Sequence, residues 1–465
     1  MTALRDGSDG VTVGVPVAAA PEALTIGGAR VVDPFTGIDR VVDVHLGGGR
    51  IVAVGPAPAG FRAARRIDGS GRVLAPGLVD LAARLREPGF EYKASLESEM
   101  HAAVAGGVTS LVCPPDTEPA LDEPGLIEML KHRARSLALA HLYPLGALTV
   151  GLAGENLTEM AELTEAGCVG FSQASTPIVD TQVLLRAMQY ARTYDYTVWL
   201  QPIDPFLGRG GVAHNGPVAT RLGLAGVPVL SETVSLHTIF ELVRATGCRV
   251  HLCRLSSAAG IALVREAKAA GLPLTADVAV HHLHLIDVDI GYFDARMRVD
   301  PPFRSQRDRD AIRAGVLDGT IDAICSDHTP VAEDAKLLPF GEAEPGVTGL
   351  ELLLPLVLKW AGQERVGLLD ALARVTRVPS RIAGLGDAPA GAPAGFSVGA
   401  PADLFLFDPE QPWIVDDRSL LSQGKDTPYH GRELLGRVML TIVGGRVVFA
   451  RDGDAESGVR SNRAG

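Results

Sequence analysis

Charged side chains at the ends of apolar runs are the residues of this sequence best suited to chemistry. Asp327 and Arg254 each follow a short apolar run, and Arg84 and Arg86 lie beyond a third one. A carboxylate in such a place could act as a general base. The guanidinium groups stay protonated, so they could bind an anion or pair with the carboxylate, but they do not bind metal ions. No Ser–His–Asp or Cys–His arrangement for nucleophilic catalysis is readable in the sequence.

Short apolar runs alternate with amphipathic helices through the middle of the chain. The clearest unit starts with the strand candidate Val250–Cys253 and continues with a helix that Ser257 can cap and Gly271 can end. About eight such units lie between residues 77 and 395, which predicts an α/β fold built as a closed (β/α)₈ TIM barrel. An open doubly wound sheet is the alternative. No strand is followed by the GxGxxG pattern, so we do not expect a dinucleotide site.

The two ends of the chain have a different pattern from the middle. Short strand candidates separated by Gly-rich turns occupy residues 24–76 and again 396–451. We expect these two stretches to form one small β-sandwich domain that brackets the barrel. Residues 1–23 are predicted to be a flexible leader, and residues 452–465 a loose tail.

Composition excludes several classes of function. The formal net charge is −12, which argues against a surface for nucleic acid or for an anionic membrane. The five cysteines are scattered without CxxC spacing, so no disulfide framework is expected and a reducing compartment suits the chain. The sequence has no recognisable secretion signal and no apolar run long enough to span a bilayer. We therefore expect a cytoplasmic protein.

Eight segments stand out along the chain: Val73–Gly89, Ala105–Thr117, Val169–Ser172, Val299–Arg304, Ser326–Pro330, Pro339–Glu351, Val398–Asp408 and Gly424–Val448. In order and spacing they resemble segments of class I dihydroorotases. These enzymes of the amidohydrolase superfamily cyclise carbamoyl-aspartate in pyrimidine biosynthesis. The resemblance covers nearly the whole chain after residue 23. It implies a TIM barrel with a β-rich domain from both chain ends, and a dinuclear metal centre at the C-terminal mouth of the barrel.

The positions that should bind these metals hold other residues in this chain. The His-x-His pair of the first strand is replaced by Ala82 and Arg84, and a bridging aspartate by Gln173. The fifth- and sixth-strand histidines are replaced by Gln201 and Arg254. Of the ligands, the eighth-strand aspartate is retained, as Asp327. We therefore expect no metal, with zinc bound only if the chain is an active hydrolase after all.

The substrate-binding positions implied by the resemblance are also altered. Arg86 is retained where the family binds the substrate carboxylate, but Asp116 replaces an asparagine and would repel an anion. Val331 replaces a histidine. Arg84 and Arg254 are possible contacts for a small anion. Without a metal, we expect one of these two arginines to pair with Asp327 or with Asp204, since a buried carboxylate needs a partner.

The histidines are not expected to replace the missing ligands. His281, His282 and His284 lie close together, and the first two match a pair that the family does not use for metal, so we expect packing and hydrogen bonding. His328 is expected to bond within the mouth. His251 is expected to be a core residue that faces away from the barrel lumen.

The resemblance implies a specific function for a chain that lacks these ligands. Some bacteria have similar dihydroorotase homologues that associate with the catalytic chain of aspartate carbamoyltransferase and are needed for its active assembly. We therefore predict a non-catalytic subunit of such a hetero-oligomer, with Asp327 vestigial and no catalytic residue. The alternatives are an active dihydroorotase or related cyclic-amide hydrolase with an altered or metal-free site, and a small-anion sensor.

Overall fold

A computed structural model describes residues 21–385 and 394–451 of the chain. The predicted tail and most of the predicted leader lie outside these residues. So does most of the Gly-rich stretch between the barrel and the second half of the β-rich domain.

Eight strands in parallel form the barrel, and we number them β1–β8 in chain order. Each pairs with the next along the chain, and β3 is interrupted at Leu145. A bridge between Ala83 and His328, just beyond β1 and β8, joins the first strand to the last. The strands are Leu78–Asp80, Val108–Cys113, His141–Pro144 with Gly146–Ala147, Phe171–Ser172, Thr197–Leu200, Arg249–Leu252, Leu274–Ala279 and Ala323–Cys325.

Helices surround the barrel and close its lower end. In chain order α1–α11 are Leu96–Ala105, Pro124–Leu137, Met160–Ala166, Thr181–Thr193, Pro217–Leu222, Val229–Thr246, Ala258–Ala269, Gln306–Asp318, Leu353–Glu364, Leu368–Ala373 and Arg377–Ile382. Short 3₁₀ turns occupy Val150–Leu152, Val280–Leu283, Asp287–Ile290, Ala295–Met297 and Leu350–Leu352. Ser257 caps α7 as predicted, since its side chain accepts the amide hydrogen of Gly260. Within the described ranges no helix has the length and apolar character needed to cross a membrane.

Strand alternation divides the apolar residues between the lumen and the helices. One cluster contains side chains from four different strands, namely Val79, Val112, Trp199 and Cys325. Side chains from strands on different sides of a barrel can meet only in its lumen, so these four point inward. Their neighbours in sequence, such as Val198, belong to the larger core between the strands and the helices. The same alternation therefore decides which polar residues reach the mouth.

Two sheets packed face to face form the β-rich domain. A four-stranded sheet has the spatial order Arg50–Val54, Val44–Gly47, Leu24–Gly27, Arg65–Asp68. A six-stranded sheet has the order Arg446–Ala450, Glu433–Val443, Leu404–Ile414, Val73–Pro76, Arg30–Asp33, Ile38–Val41. Its centre joins the two ends of the chain, because Leu404–Phe407 pairs antiparallel with Val73–Pro76.

One strand serves both domains. Leu404 and Leu406 belong to the core of the sandwich, while Phe405 and Phe407 belong to the core of the barrel. Successive side chains on a strand point to opposite faces, so one strand can contribute to both cores. The sandwich is thereby fixed against the lower end of the barrel, where the strands begin, and Phe405 packs there against Gly107.

Candidate functional site at the mouth of the barrel

The chain beyond β1 continues as an extended segment that directs two positions into the mouth. The Ala83 amide donates to the Val112 carbonyl at 3.1 Å, and the Arg84 amide donates to the His328 carbonyl at 2.9 Å. Ala83 packs on the helix side and Ala82 in the lumen cluster. By the period of two, Arg84 follows Ala82 inward.

Two buried arginines hold Asp327. An Arg254 terminal nitrogen lies 3.0 Å from Asp327 Oδ1, and an Arg84 terminal nitrogen lies 3.5 Å from the same oxygen. Side-chain exposure is 8% for Arg84, 6% for Arg254 and 7% for Asp327. The predicted pairing of Asp327 with an arginine is confirmed, and both arginines take part. The alternative pairing with Asp204 is wrong, because that carboxylate accepts the backbone amides of Phe206 and Leu207.

Two further groups complete this cluster, and neither was predicted to do so. The Ser175 hydroxyl accepts from Arg254 at 2.9 Å and from Arg84 at 3.3 Å, so it bridges the two guanidinium groups. Asp116 accepts from Arg84 Nε at 2.7 Å. The sequence predicts that Asp116 repels an anionic ligand, whereas in the structure its carboxylate is paired with Arg84. We call Arg84, Arg254, Asp327, Asp116 and Ser175 the arginine cluster.

Burial and charge act in opposition on the carboxylates of the arginine cluster. Burial alone would raise the pKa of the Asp116 carboxyl, but Arg84, with Arg86 and Arg254 beyond it, holds that pKa below its usual value. For Asp327 burial prevails, and the pKa is raised although Arg254 and Arg84 oppose the rise. Asp116 is therefore the carboxylate that the arginines hold most firmly ionised.

The amide residues that replace metal ligands make other contacts. Gln201 Oε1 accepts from Arg254, and Gln201 Nε2 is buried without a hydrogen-bond partner in the described part of the chain. Gln173 turns toward the loop after β3, where its Nε2 donates to the Leu152 carbonyl at 2.8 Å and its Oε1 accepts from Thr149 at 3.1 Å. Gln201 thus meets Asp327 only through Arg254, and Gln173 bonds outside the arginine cluster.

These residues do not fit the two-metal centre of amidohydrolases. Zinc needs several neutral imidazoles, thiolates or carboxylates around one point. Here Asp327 is surrounded by Arg84 and Arg254, which have no lone pair to donate, and Ala82 offers no donor atom. The guanidinium groups take the place beside Asp327 where cations would be bound.

The arginines of the mouth are matched by carboxylates of the same cavity. Its volume is about 180 Å³, and three arginines line it together with four carboxylates. The arginines are Arg84, Arg86 and Arg254, and the carboxylates are Asp116, Asp300, Asp327 and Glu344. Arg86 donates from Nε to the Pro330 carbonyl at 2.8 Å and reaches Glu344 at 4.0 Å. This charge pattern disfavours the small-anion site that the sequence left open.

His328 corrects a further expectation, because it bonds away from the mouth. Its Nδ1 accepts the Gly349 amide at 3.1 Å, so Nε2 carries the hydrogen and donates to Glu99 on α1 at 2.7 Å. Its partners on α1 and at Gly349 therefore hold the ring away from Asp327, whose backbone has a φ of +50°. His328 thus fixes the segment that carries Asp327.

His251 corrects the opposite error, since it faces the lumen. Its ring centroid lies 4.3 Å from that of the lumen residue Trp199. Its Nε2 bonds to Asp277 at 2.9 Å and its Nδ1 to Thr275 at 2.8 Å. In the part of the chain that the structure describes, His251, Cys253 and Asp277 form the one group of three possible metal ligands, with donor atoms within 4.8 Å of one another. Both ring nitrogens of His251 are already bonded, so the group is satisfied without an ion.

The other histidines pack and bond to the backbone. His282 bonds to the Pro301 carbonyl at 3.2 Å, and His284 to the Leu356 carbonyl at 2.9 Å. The His281 ring lies 5.9 Å from the Tyr429 ring. Burial lowers the pKa of all three, to about 3 for His281, about 4 for His282 and about 3 for His284. They are neutral at pH 7 and lie outside the arginine cluster.

Comparison with known proteins gives the same fold and names one family. A family model described as Dihydro-orotase-like matches residues 71–259. A "Dihydroorotase-like protein" of Pseudomonas putida is 46% identical over 428 residues, which are 91% of this chain and 98% of that protein. A "Dihydroorotase" of Geobacter sp. (strain M21) is 37% identical over 426 residues, 92% and 99% of the two chains.

Solved structures share the architecture at lower identity. An L-hydantoinase (dihydropyrimidinase) from Arthrobacter aurescens superposes with a TM-score of 0.81 at 22% identity, over 92% of this chain and 96% of that one. The predicted barrel with a β-rich domain from both chain ends is confirmed by this likeness, which concerns the fold alone.

Proposed function

Since the chain belongs to the dihydroorotase-like amidohydrolase family, we propose that it is a non-catalytic member that supports assembly and activity of aspartate carbamoyltransferase in the cytoplasm. The observation that carries the first half of this proposal is the arginine cluster. Arg84 and Arg254 pair with Asp327, and all three occupy sequence positions where the resemblance implies metal ligands.

Hydrolysis or closure of a cyclic amide needs a polarised carbonyl and an activated water or amide. In the family's chemistry, metal ions supply both. Asp327 could still accept a proton, but its carboxylate is bonded to the two guanidinium groups. No described residue of the mouth offers the imidazoles that would bind a metal beside it. The cluster is therefore better suited to holding the mouth loops together than to reaction.

The same cluster explains how a barrel without metals keeps its mouth folded. Its members come from the segments after β1, β2, β4, β6 and β8, so five loops meet at one set of ion pairs and hydrogen bonds. In a metal enzyme the ions would join such loops. Here the guanidinium groups replace them, and the outer surface formed by the loops can persist after the chemistry is lost.

The partner follows from the resemblance rather than from a described contact. The barrel and the sandwich are intact, while the described residues of the mouth lack the groups for catalysis. This combination suits a scaffold whose surface binds a partner protein. The name of the Pseudomonas putida relative, "Dihydroorotase-like protein", mentions no partner. We assign the aspartate carbamoyltransferase catalytic chain as the partner in a hetero-oligomer.

The first experiment tests catalysis directly. Purified chain should contain far less than one zinc per chain by elemental analysis, also after incubation with zinc and desalting, and should not turn over dihydroorotate or carbamoyl-aspartate. The matched control is a dihydroorotase with intact ligands, prepared and assayed in parallel. Near-stoichiometric zinc together with turnover would establish the alternative, an active cyclic-amide hydrolase.

The second experiment tests the partner. The chain and the aspartate carbamoyltransferase catalytic chain of the same organism should co-migrate on size exclusion when co-expressed, and the transferase should lose activity when expressed alone. A chain that migrates by itself beside a fully active transferase would refute the scaffold role while leaving the absence of catalysis to the first experiment.

A further inference from the structure

A second cavity lies at the opposite end of the barrel from the arginine cluster. Its volume is about 380 Å³, about twice that of the mouth cavity. It is formed by the C-terminal half of α2, the start of β3 and the hairpin between Val443 and Arg446 of the sandwich. The cavity thus lies between the two domains, a common place for small-molecule sites.

Four basic side chains line this cavity in a chain of net charge −12. They are Lys131 and Arg135 on α2, His141 at the start of β3, and Arg446 on the hairpin strand. No Asp or Glu is among the lining residues that the structure describes. The arrangement contrasts with the mouth, where carboxylates outnumber arginines.

Among residues 21–385 and 394–451, Asp403 is the one carboxylate that bonds to a member of this group. Its Oδ2 lies 3.0 Å from His141 Nε2, and its Oδ1 accepts the Gly444 amide at 2.6 Å. Lys131 reaches the Gly167 carbonyl at 3.3 Å. Among the described residues, Arg135 and Arg446 have no carboxylate within ion-pair distance, so two guanidinium groups remain available to a ligand.

We propose that this cavity binds a small organic phosphate. Guanidinium groups bind phosphate oxygens through paired hydrogen bonds, and a phosphate carries more negative charge than one carboxylate. Most of the remaining lining is apolar and includes Ala134, Leu139, Leu142 and Val443, beside Tyr143, which suits the organic part of such a ligand. A ligand held by α2 and by the hairpin would connect the barrel to the sandwich.

The test uses the full-length chain and three probes at constant ionic strength: ATP without magnesium, pyrophosphate and inorganic phosphate. Calorimetry should show saturable binding of one ATP per chain, with weaker binding of pyrophosphate and inorganic phosphate. Because the ligand binds the folded state, ATP should also raise the midpoint of thermal unfolding. Absence of saturable ATP binding would overturn the proposal, and equal affinity for ATP and pyrophosphate would overturn its organic part.

Two variants locate the site. Arg135→Gln with Arg446→Gln should weaken ATP binding at least about tenfold, since each removes charge-assisted hydrogen bonds. The control is Arg186→Gln with Arg221→Gln, at exposed arginines on α4 and α5, which removes the same charge elsewhere and should leave affinity unchanged. A double variant that unfolds like the parent without ATP but binds ATP equally well would refute the site. The result is independent of the partner proposed above.

Discussion

The two ends of this barrel differ in whether their positive charges have carboxylate partners. At the mouth, three arginines are buried among four carboxylates, and the two shortest ion pairs of these arginines measure 2.7 and 3.0 Å. At the lower end, Arg135 and Arg446 line an open cavity without a carboxylate partner among the described residues. A buried cation needs a counter-charge within the chain, because removing its charge from water is costly. A solvent-accessible cation does not, and it can pair with a ligand instead. The difference separates a structural charge cluster from a candidate binding site.

The strongest test of this comparison removes the carboxylate at the centre of the cluster. Asp327→Ala leaves Arg84 and Arg254 buried with one fewer counter-charge, and we expect it to lower the free energy of unfolding by about 3–5 kcal/mol. Urea unfolding followed by circular dichroism measures the change. A loss below about 1 kcal/mol would mean that the mouth does not depend on its ion pairs.

A double variant separates charge pairing from packing at the same place. Asp327→Leu with Arg254→Met replaces the pair by apolar side chains, and it should be less destabilised than the sum of the two single variants. Additive losses would indicate that Arg254 and Asp327 contribute independently.

A carboxyl held by backbone amides rather than by an ion pair should respond to pH instead. Burial raises the pKa of Glu351 to about 7, although the amides of Leu421 and Ser422 oppose the rise. The folded state therefore binds this proton more tightly than the unfolded state. Its contribution to stability is full below about pH 4.5 and is lost as the pH rises through about 7, up to about 3 kcal/mol.

Glu351→Gln should remove this dependence. The free energy of unfolding of the variant, relative to the parent, should increase between pH 5 and 8, as chemical unfolding at several pH values would measure. Glu342→Gln, at an exposed glutamate, is the control and should give no such trend. A flat difference for Glu351→Gln would show that its neighbours stabilise the ionised form.

A smaller effect is expected from the neutral bridge of the arginine cluster. Ser175→Ala removes one acceptor shared by Arg84 and Arg254, and we expect a loss of about 1–2 kcal/mol in urea unfolding. Ser175→Thr keeps the hydroxyl and should retain more of the stability. Equal losses in the two variants would assign the effect to packing.

The smallest effect is expected at the other end of the barrel. Arg446→Gln should change the free energy of unfolding by no more than about 0.5 kcal/mol without ligand, because that side chain has no described ion-pair partner. A loss as large as that of Asp327→Ala would show that the lower cations are structural too.

Much of the barrel could be predicted because its signals are local. The strand Val108–Cys113 and the cap at Ser257 follow from apolar alternation and capping chemistry within a few residues. The pairing of Asp327 could be predicted because a buried carboxylate needs a cation. The role of Ser175 could not, since a loop serine has no pattern that distinguishes it from any other.

The orientation of His251 shows where alternation fails. The sequence predicts that Arg254 points into the mouth. Because side chains alternate along an extended strand, His251, three residues earlier, is then predicted to point away from the lumen. The chain departs from extended geometry at Arg254, whose φ is +57°. Both Arg254 and His251 can therefore face inward, a break that the sequence does not mark because positive φ is uncommon outside glycine.

The shared strand Leu404–Ile414 has a consequence for how the chain matures. Val73–Pro76 cannot complete its central place in the six-stranded sheet until a segment more than three hundred residues later has left the ribosome. One edge of Val73–Pro76 therefore stays unpaired while the barrel is synthesised. A nascent chain stopped before residue 404 would carry an open edge prone to wrong pairing.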